Sequence, residues 1–280
     1  MPRAMWSGAI SFGLVSVPVK LFTAVSRKTV RFNQLDAETH SRVRQKRVNA
    51  EGDEVPYQRI VKGYEVAKDS YIVVGDDELA ALAPTASRMI DITDFVSEDE
   101  IDPVFYDSAY YLVPDELARK SYAVLTRAMA ESNRVAIATF VMRTKQYLAA
   151  IRPHGGVLMM STMVYADEVV PADDIPGLAE LREASVTDAE LAMAGQLIDS
   201  LTTGFEPDHY RDTYREQVME LITAKAAGEE HAVEIPAVAA DDGVVDLMAA
   251  LEASVNAAKA ARAEAAAAEA TASEATARSA

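Results

Sequence analysis

The chain has 280 residues, half of them hydrophobic and a quarter charged, enough for about two domains with packed cores rather than a disordered chain. It has no cysteine, which excludes disulfides, thiolate metal sites and a cysteine nucleophile. The formal charge of −17 argues, taken as an average, against a nucleic-acid binder.

The average conceals segregation. Residues 1–62 hold 11 Lys/Arg against 5 Asp/Glu, residues 63–118 hold 2 against 14, and residues 119–152 return to 7 against 1. Residues 153–228 and 229–280 are again acidic, with 4 against 14 and 3 against 10. Two basic blocks in an acidic background suit a protein with one positive face.

In chain order, Ile10, Phe12 and Leu14 alternate with Ser11 and Gly13 before Val15, Val17, Val19 and Leu21 take the other parity. That change predicts a strand with a bulge or sharp bend, and Pro18 then requires a sheet edge or a second bulge. The opening stretch has no compact leucine-rich segment and no A-x-A site, so a soluble, intracellular chain is expected. Residues 27–59 are polar and basic and predict an extended excursion from the sheet. Strands are predicted at Tyr71–Val74, Tyr110–Val113, Val135–Met142, Tyr147–Ile151 and Val157–Tyr165, with turns at 144–146 and 154–156. Between them Asp115–Glu131 reads as a helix with Leu117, Val124, Leu125, Ala128 and Met129 on its apolar side.

After Pro171 the pattern is helical. Thr187 with Glu190 forms a capping box opening a helix with Leu191, Ala194, Ile198 and Leu201 on one face. Pro207 opens another, carrying Tyr210, Tyr214, Val218, Leu221 and Ile222 and ending near Gly228. A short amphipathic helix at 244–255 presents Leu247, Met248, Leu251 and Val255; beyond it the tail is alanine-rich.

Catalytic signatures are sparse. There is no GxxxxGK[ST] or GxGxxG loop, and His40, His154, His209 and His231 show no metal-ligand spacing. His154-Gly155-Gly156 reads as a hairpin turn rather than an oxyanion loop. The cluster Glu98, Asp99, Glu100, Asp102 lacks EF-hand spacing; a hydrolase built on it is the remaining enzymatic alternative.

Trp6-Ser-Gly-Ala-Ile-Ser-Phe-Gly-Leu-Val-Ser-Val-Pro-Val-Lys-Leu-Phe22 resembles the N-terminal strand of the bacterial Ku family nearly position for position. The resemblance continues through Ile60-Val-Lys-Gly-Tyr-Glu65, Lys120-Ser-Tyr122, Met193-Ala-Gly-Gln-Leu-Ile-Asp199 and the Asp246–Val255 segment, covering about residues 4–255. It implies a mixed α+β, β-rich fold: a Ku core over 1–228, made of a β-barrel to about 170 with a DNA-encircling bridge at 27–62, and a helical arm over 171–228. The C-terminal region, 229–280, holds the 244–255 helix and the tail 256–280.

The family's function is sequence-independent binding of double-stranded DNA ends as a homodimeric ring, in the nucleoid and hence the cytoplasm. The ring recruits and stimulates the ATP-dependent ligase D in non-homologous end joining. No catalysis, cofactor or metal belongs to it, and no membrane. Where some members carry CxxC before the E-V-P-Y-like segment, this chain has Asn49 and Gly52, so that metal staple is unavailable.

Phosphate contacts position a protein on DNA without reading a base, and cations supply them. The bridge offers Arg27, Lys28, Arg31, Arg42, Arg44, Lys46 and Arg47; the second basic block offers Arg127, Arg134, Arg143, Lys145 and Arg152. In the matching Ku segments Arg44, Lys46, Arg47, Arg143 and Lys145 stand out. Tyr210, Tyr214, Val218 and Leu221 are the expected dimer contacts, and Leu247, Met248, Leu251 and Val255 the expected ligase-docking stripe, with folding back onto the arm as its alternative. A competing reading of the whole chain is an acidic interaction scaffold of Ku fold with weakened DNA binding.

Overall fold

The structure is a computed structural model describing residues 3–82, 88–178, 181, 184–228, 248–257 and 259–260. The chain divides into two compact units, Met1–Pro171 and Ala172–Ala280.

The first unit is built on a closed seven-stranded barrel. Strands β1 (Trp6–Phe12), β2 (Val15–Thr23), β5 (Met89–Val96), β6 (Tyr106–Pro114), β7 (Val135–Met142), β8 (Lys145–His154) and β9 (Val157–Met163) close in the order β1-β2-β6-β9-β8-β7-β5. Every neighbouring pair is antiparallel except β1 and β5, which run parallel over three residue pairs. Alternation sends one side chain in two inward. Ile10, Val17, Val19, Leu21, Ile90, Leu112, Phe140, Ile151, Leu158 and Met160 accordingly fill the interior with almost no exposure.

The parity change at Gly13 is a hairpin between two strands, not a bulge in one. Phe12 pairs with Val15 across Gly13-Leu14, and Gly13 (φ 59°) is the first loop residue, the positive-φ position of a type II′ turn. Leu14 is then fully exposed at the tip. Pro18 pairs with Ala9 on one side, and on the other its carbonyl accepts the Asp115 amide where β6 has just ended. The β6 ladder begins only at Val19, so the missing N–H faces no partner strand: the edge position, not a second bulge. At 154–156 the expected turn is present, with Gly155 and Gly156 both at positive φ between paired His154 and Val157.

Helix α2 (Arg119–Ser132) follows a 3-10 turn at Glu116–Ala118 and closes one end of the barrel. The expected apolar side is corrected: Leu117, Val124 and Ala128 are exposed, and the buried face is Ala118, Tyr122, Leu125, Thr126 and Met129. Tyr122 decides this, because its hydroxyl bonds both the Leu112 carbonyl and the Leu158 amide.

Two strands and a helix escaped the sequence reading: β3 (Lys62–Ala67), β5, and the short α1 (Asp76–Leu82). β3 pairs only with β4 (Ser70–Val74), in a two-stranded sheet outside the barrel. They belong to an excursion that leaves β2 after Thr23. From Val25 to Leu82 no residue is buried, and only Val30, Val55, Val74 and Gly75 are even half-buried. Isolated bridges Leu35–Arg42 and Val48–Glu54 give it local order without a core.

In the second unit, helix α3 (Asp188–Leu201) has the expected capping box: Glu190 accepts from the Thr187 amide while the Thr187 hydroxyl accepts from the Glu190 amide. The next helix starts later than Pro207 suggests. Pro207–His209 is a single 3-10 turn, and α4 (Thr213–Ala227) is capped by Asp212 and ended by Gly228 in the left-handed region. Tyr210 therefore lies before α4, stacked on Phe205, and shares no helical face with Tyr214. Residues 248–257 are helical. No helix among the described residues is long and apolar enough to cross a membrane.

Candidate nucleic-acid interface

Strand direction gives the barrel two unlike ends. β1, β5, β6 and β8 run toward the end closed by α2; β2, β7 and β9 run away from it. The far end collects Thr23, from which the excursion departs, Met89, from which β5 begins, and the β7–β8 hairpin with Arg143 and Thr144 at its tip.

This geometry divides the second basic block. Arg143 and Lys145 sit at the excursion end, exposed and with no acidic partner in reach among the described residues. Arg127, Arg134 and Arg152 belong to the helix-closed end, separated from the others by the length of β7, roughly 25 Å for eight extended residues. There Arg152 lies 3.6 Å from Glu98 and Arg134 donates to the Ser97 hydroxyl. Arg127 and Arg134 line a cavity of about 520 Å³ with Glu98 and His154.

The excursion that departs from the far end carries the remaining cations. Arg27, Lys28 and Arg31 follow closely on Thr23, and Arg42, Arg44, Lys46 and Arg47 lie further along, all exposed. Two have intramolecular partners: Lys46 pairs with Glu54 at 2.6 Å, and the Arg47 guanidinium lies over the Tyr57 ring, 5.5 Å from its centroid. The pair at Glu54 leaves Lys46 a weaker local cation than its neighbours, since it is already partly neutralised.

Sequence reasoning missed the support behind Lys145. Its ammonium is 5.4 Å from the centroid of the Tyr147 ring, Tyr147 stacks on Phe140 at 5.5 Å, and Trp6 meets Phe140 edge-on at 6.0 Å. The Trp6 indole N–H donates to the Val141 carbonyl at 3.1 Å. Trp6 and Phe140 are 134 positions apart, so no local pattern announces the stack. Arg143, the first loop residue of its hairpin, has φ 56°, a conformation uncommon outside glycine and asparagine.

The acidic cluster has structural employment. Glu100 accepts from the Ser97 amide, Asp102 accepts from the Val104 amide, and Glu98 faces Arg152. Burial, reinforced by Glu98 and opposed by Arg152, pushes the Tyr106 phenol above its ordinary pKa, and its hydroxyl has no hydrogen-bond partner among the described residues. No group of three or more potential ligands among the described residues could hold a metal ion.

Of the expected dimer contacts, Tyr210 and Tyr214 are exposed and Val218 and Leu221 half-buried. Of the expected ligase stripe, Leu247 lies outside the described residues, Met248 and Leu251 are half-buried, and Val255 is buried. The stripe is thus partly covered, not wholly open.

A family model described as the Ku70/Ku80 beta-barrel domain matches residues 11–193. The chain is 49% identical over 263 residues to a non-homologous end joining protein Ku of Anaeromyxobacter, covering 92% of this chain and 87% of the relative. It is 43% identical to that of Heliobacterium modesticaldum, covering 92% of each, and 40% identical to that of Mycolicibacterium smegmatis, covering 92% and 83%.

Proposed function

The chain belongs to the Ku family, and we propose that it binds double-stranded DNA ends of any sequence as a homodimeric ring in non-homologous end joining. Its relatives are end-joining proteins, not enzymes, and the chain is read in the same way.

One observation carries this reading. The free cations Arg143 and Lys145 share a barrel end with the departure of an excursion of nearly sixty residues that buries nothing of its own, and whose first part, residues 27–62, holds 9 Lys/Arg against 5 Asp/Glu. A two-stranded sheet with Tyr64, Val66, Tyr71 and Ile72 exposed cannot stand alone in water, so its stability must come from a partner surface. A second copy of the chain covers the apolar part and duplex phosphate the basic part. The acidic remainder of the molecule repels DNA from other faces and favours the lined path. None of these contacts reads a base edge, which is what gripping arbitrary ends requires.

Recruitment of ligase D is assigned to the C-terminal region, where Leu247, Met248, Leu251 and Val255 form the docking stripe. Since Val255 is covered in the free chain, docking uses the stripe after it is released, or uses its Met248–Leu251 edge alone.

Gel-shift titration against matched linear and covalently closed circular duplexes tests the function. Binding of the linear form, with the circle failing to compete, is expected. Equal binding of both contradicts end loading, and binding of neither returns the chain to the acidic scaffold reading.

A further inference from the structure

We propose that Tyr147 is a positioning residue for DNA: its ring holds the Lys145 ammonium at the excursion end of the barrel, ready for a phosphate. The inference rests on the reading of that end as the phosphate-facing one.

The geometry has three tiers. Lys145 opens β8 and is exposed, and no acidic side chain among the described residues pairs with its ammonium. Tyr147 is two residues on, on the same face of the strand, and half-buried against the barrel core. Behind it Phe140 is almost fully buried, and Trp6 of β1, locked to Val141 by its indole N–H, braces Phe140 edge-on. A free lysine has four rotatable bonds, and ordering it on DNA costs conformational entropy at the moment of binding. A ring already under the ammonium lowers that cost in advance while leaving the charge intact.

Charge and position separate experimentally, because the salt dependence of binding counts phosphates neutralised, whereas preorganisation changes affinity at every salt alike. The measurement is affinity of the full-length protein for a linear duplex across a salt series, for Lys145→Gln, Tyr147→Leu, Tyr147→Phe and the double variant K145Q/Y147L. Lys145→Gln should weaken binding and reduce the salt slope by about 0.9, the loss of one phosphate contact. Tyr147→Leu should weaken binding about three- to tenfold with little change of slope, as for one side chain that must now be ordered on binding. Tyr147→Phe should bind as the parent does, since the ring and not the hydroxyl is used. The double variant should be no weaker than Lys145→Gln, because Tyr147 acts only through Lys145.

Emission of Trp6, the only tryptophan in the chain, reports whether the stack survives in each variant, and Tyr147→Phe keeps the test valid if Tyr147→Leu perturbs the barrel. Additive losses in the double variant, or Tyr147→Leu binding like the parent while Lys145→Gln does not, overturn the positioning role. A Lys145→Gln variant that binds normally with an unchanged slope instead overturns the reading of this barrel end, and the role with it.

Discussion

The Tyr122 hydroxyl accepts the Leu158 amide hydrogen at 2.6 Å and donates to the Leu112 carbonyl at 2.7 Å, tying α2 to two barrel strands through one buried atom. Tyr122→Phe leaves both backbone groups unpaired in an apolar setting and should cost about 1–3 kcal/mol, read as a fall in melting temperature. Burial also raises the phenol pKa of Tyr122 above 10, the Leu158 hydrogen bond opposing. The unfolded chain then loses this proton at lower pH than the folded one, so the contribution is complete below pH 10 and declines as pH rises through the folded value. The alkaline decline should be shallower in Tyr122→Phe; an identical decline would place its source elsewhere, with Tyr106 the next candidate.

Gly8 sits where β1 meets β5 in parallel, and a Cβ there would overlap the Arg88 carbonyl oxygen and the Trp6 ring. Since backbone is one of the two obstacles, Gly8→Ala should destabilise the barrel by about 1–3 kcal/mol or more. Chemical denaturation with Trp6 emission measures it; a neutral substitution would mean that the β1–β5 seam can open without loss.

The two ends of the barrel predict unequal roles for cations that are neighbours in sequence. Log affinity for a linear duplex should fall with log salt at a slope of about −5 to −9, for roughly six to ten neutralised phosphates. Arg143→Glu with Lys145→Glu should weaken binding for all end sequences alike. Arg127→Glu with Arg134→Glu, at the helix-closed end, should change it far less. Equal losses from the two pairs would show that DNA also reaches the closed end.

Tyr214 is exposed on the first turn of α4. If that turn packs on the second subunit, Tyr214→Asp places a charge against apolar surface and should weaken the dimer by several kcal/mol, on the order expected for an unpaired buried charge. Sedimentation at low concentration would then find monomer, and an unaltered dimer would remove Tyr214 from the interface.

The tail at 256–280 is neutral overall, with Lys259, Arg262 and Arg278 against Glu264, Glu269 and Glu274. It can release few counterions, so its deletion should leave end binding and ligase stimulation nearly intact. Deleting 241–280 should spare end binding and abolish ligase stimulation. Stimulation that survives the longer deletion would move the ligase site off the Leu247–Val255 stripe.

Legibility varied with the range of the interaction. Strand β7 is legible to the residue because Val135–Met142 is apolar apart from Thr139, and the Thr187–Glu190 cap because its parts are three residues apart. Strand β5 was missed since Met89–Val96 carries Asp91 and Asp94 on its outward positions and resembles the acidic loop around it. A bulge, a sharp bend and the hairpin found at Gly13 all invert parity, and only the Phe12–Val15 pairing distinguishes them. Among the candidate contacts, charge segregation was legible but its division was not: Arg134 and Arg143 are nine residues apart in sequence, and an intervening strand sends them to opposite ends. The aromatic support of Lys145 depends on contacts between the first strand and the seventh, which no local window contains.

The excursion between Val25 and Leu82, which buries no residue, also uncouples two things that most proteins must trade against each other. A substitution in a packed core is filtered first by whether the chain still folds. One in this arm is not, because the barrel neither leans on it nor loses a neighbour when it changes. Substitutions at the exposed cations between Arg27 and Arg47 therefore leave the packing of the barrel intact, and a library confined to them would test the proposed grip on DNA without first being filtered by whether the barrel folds.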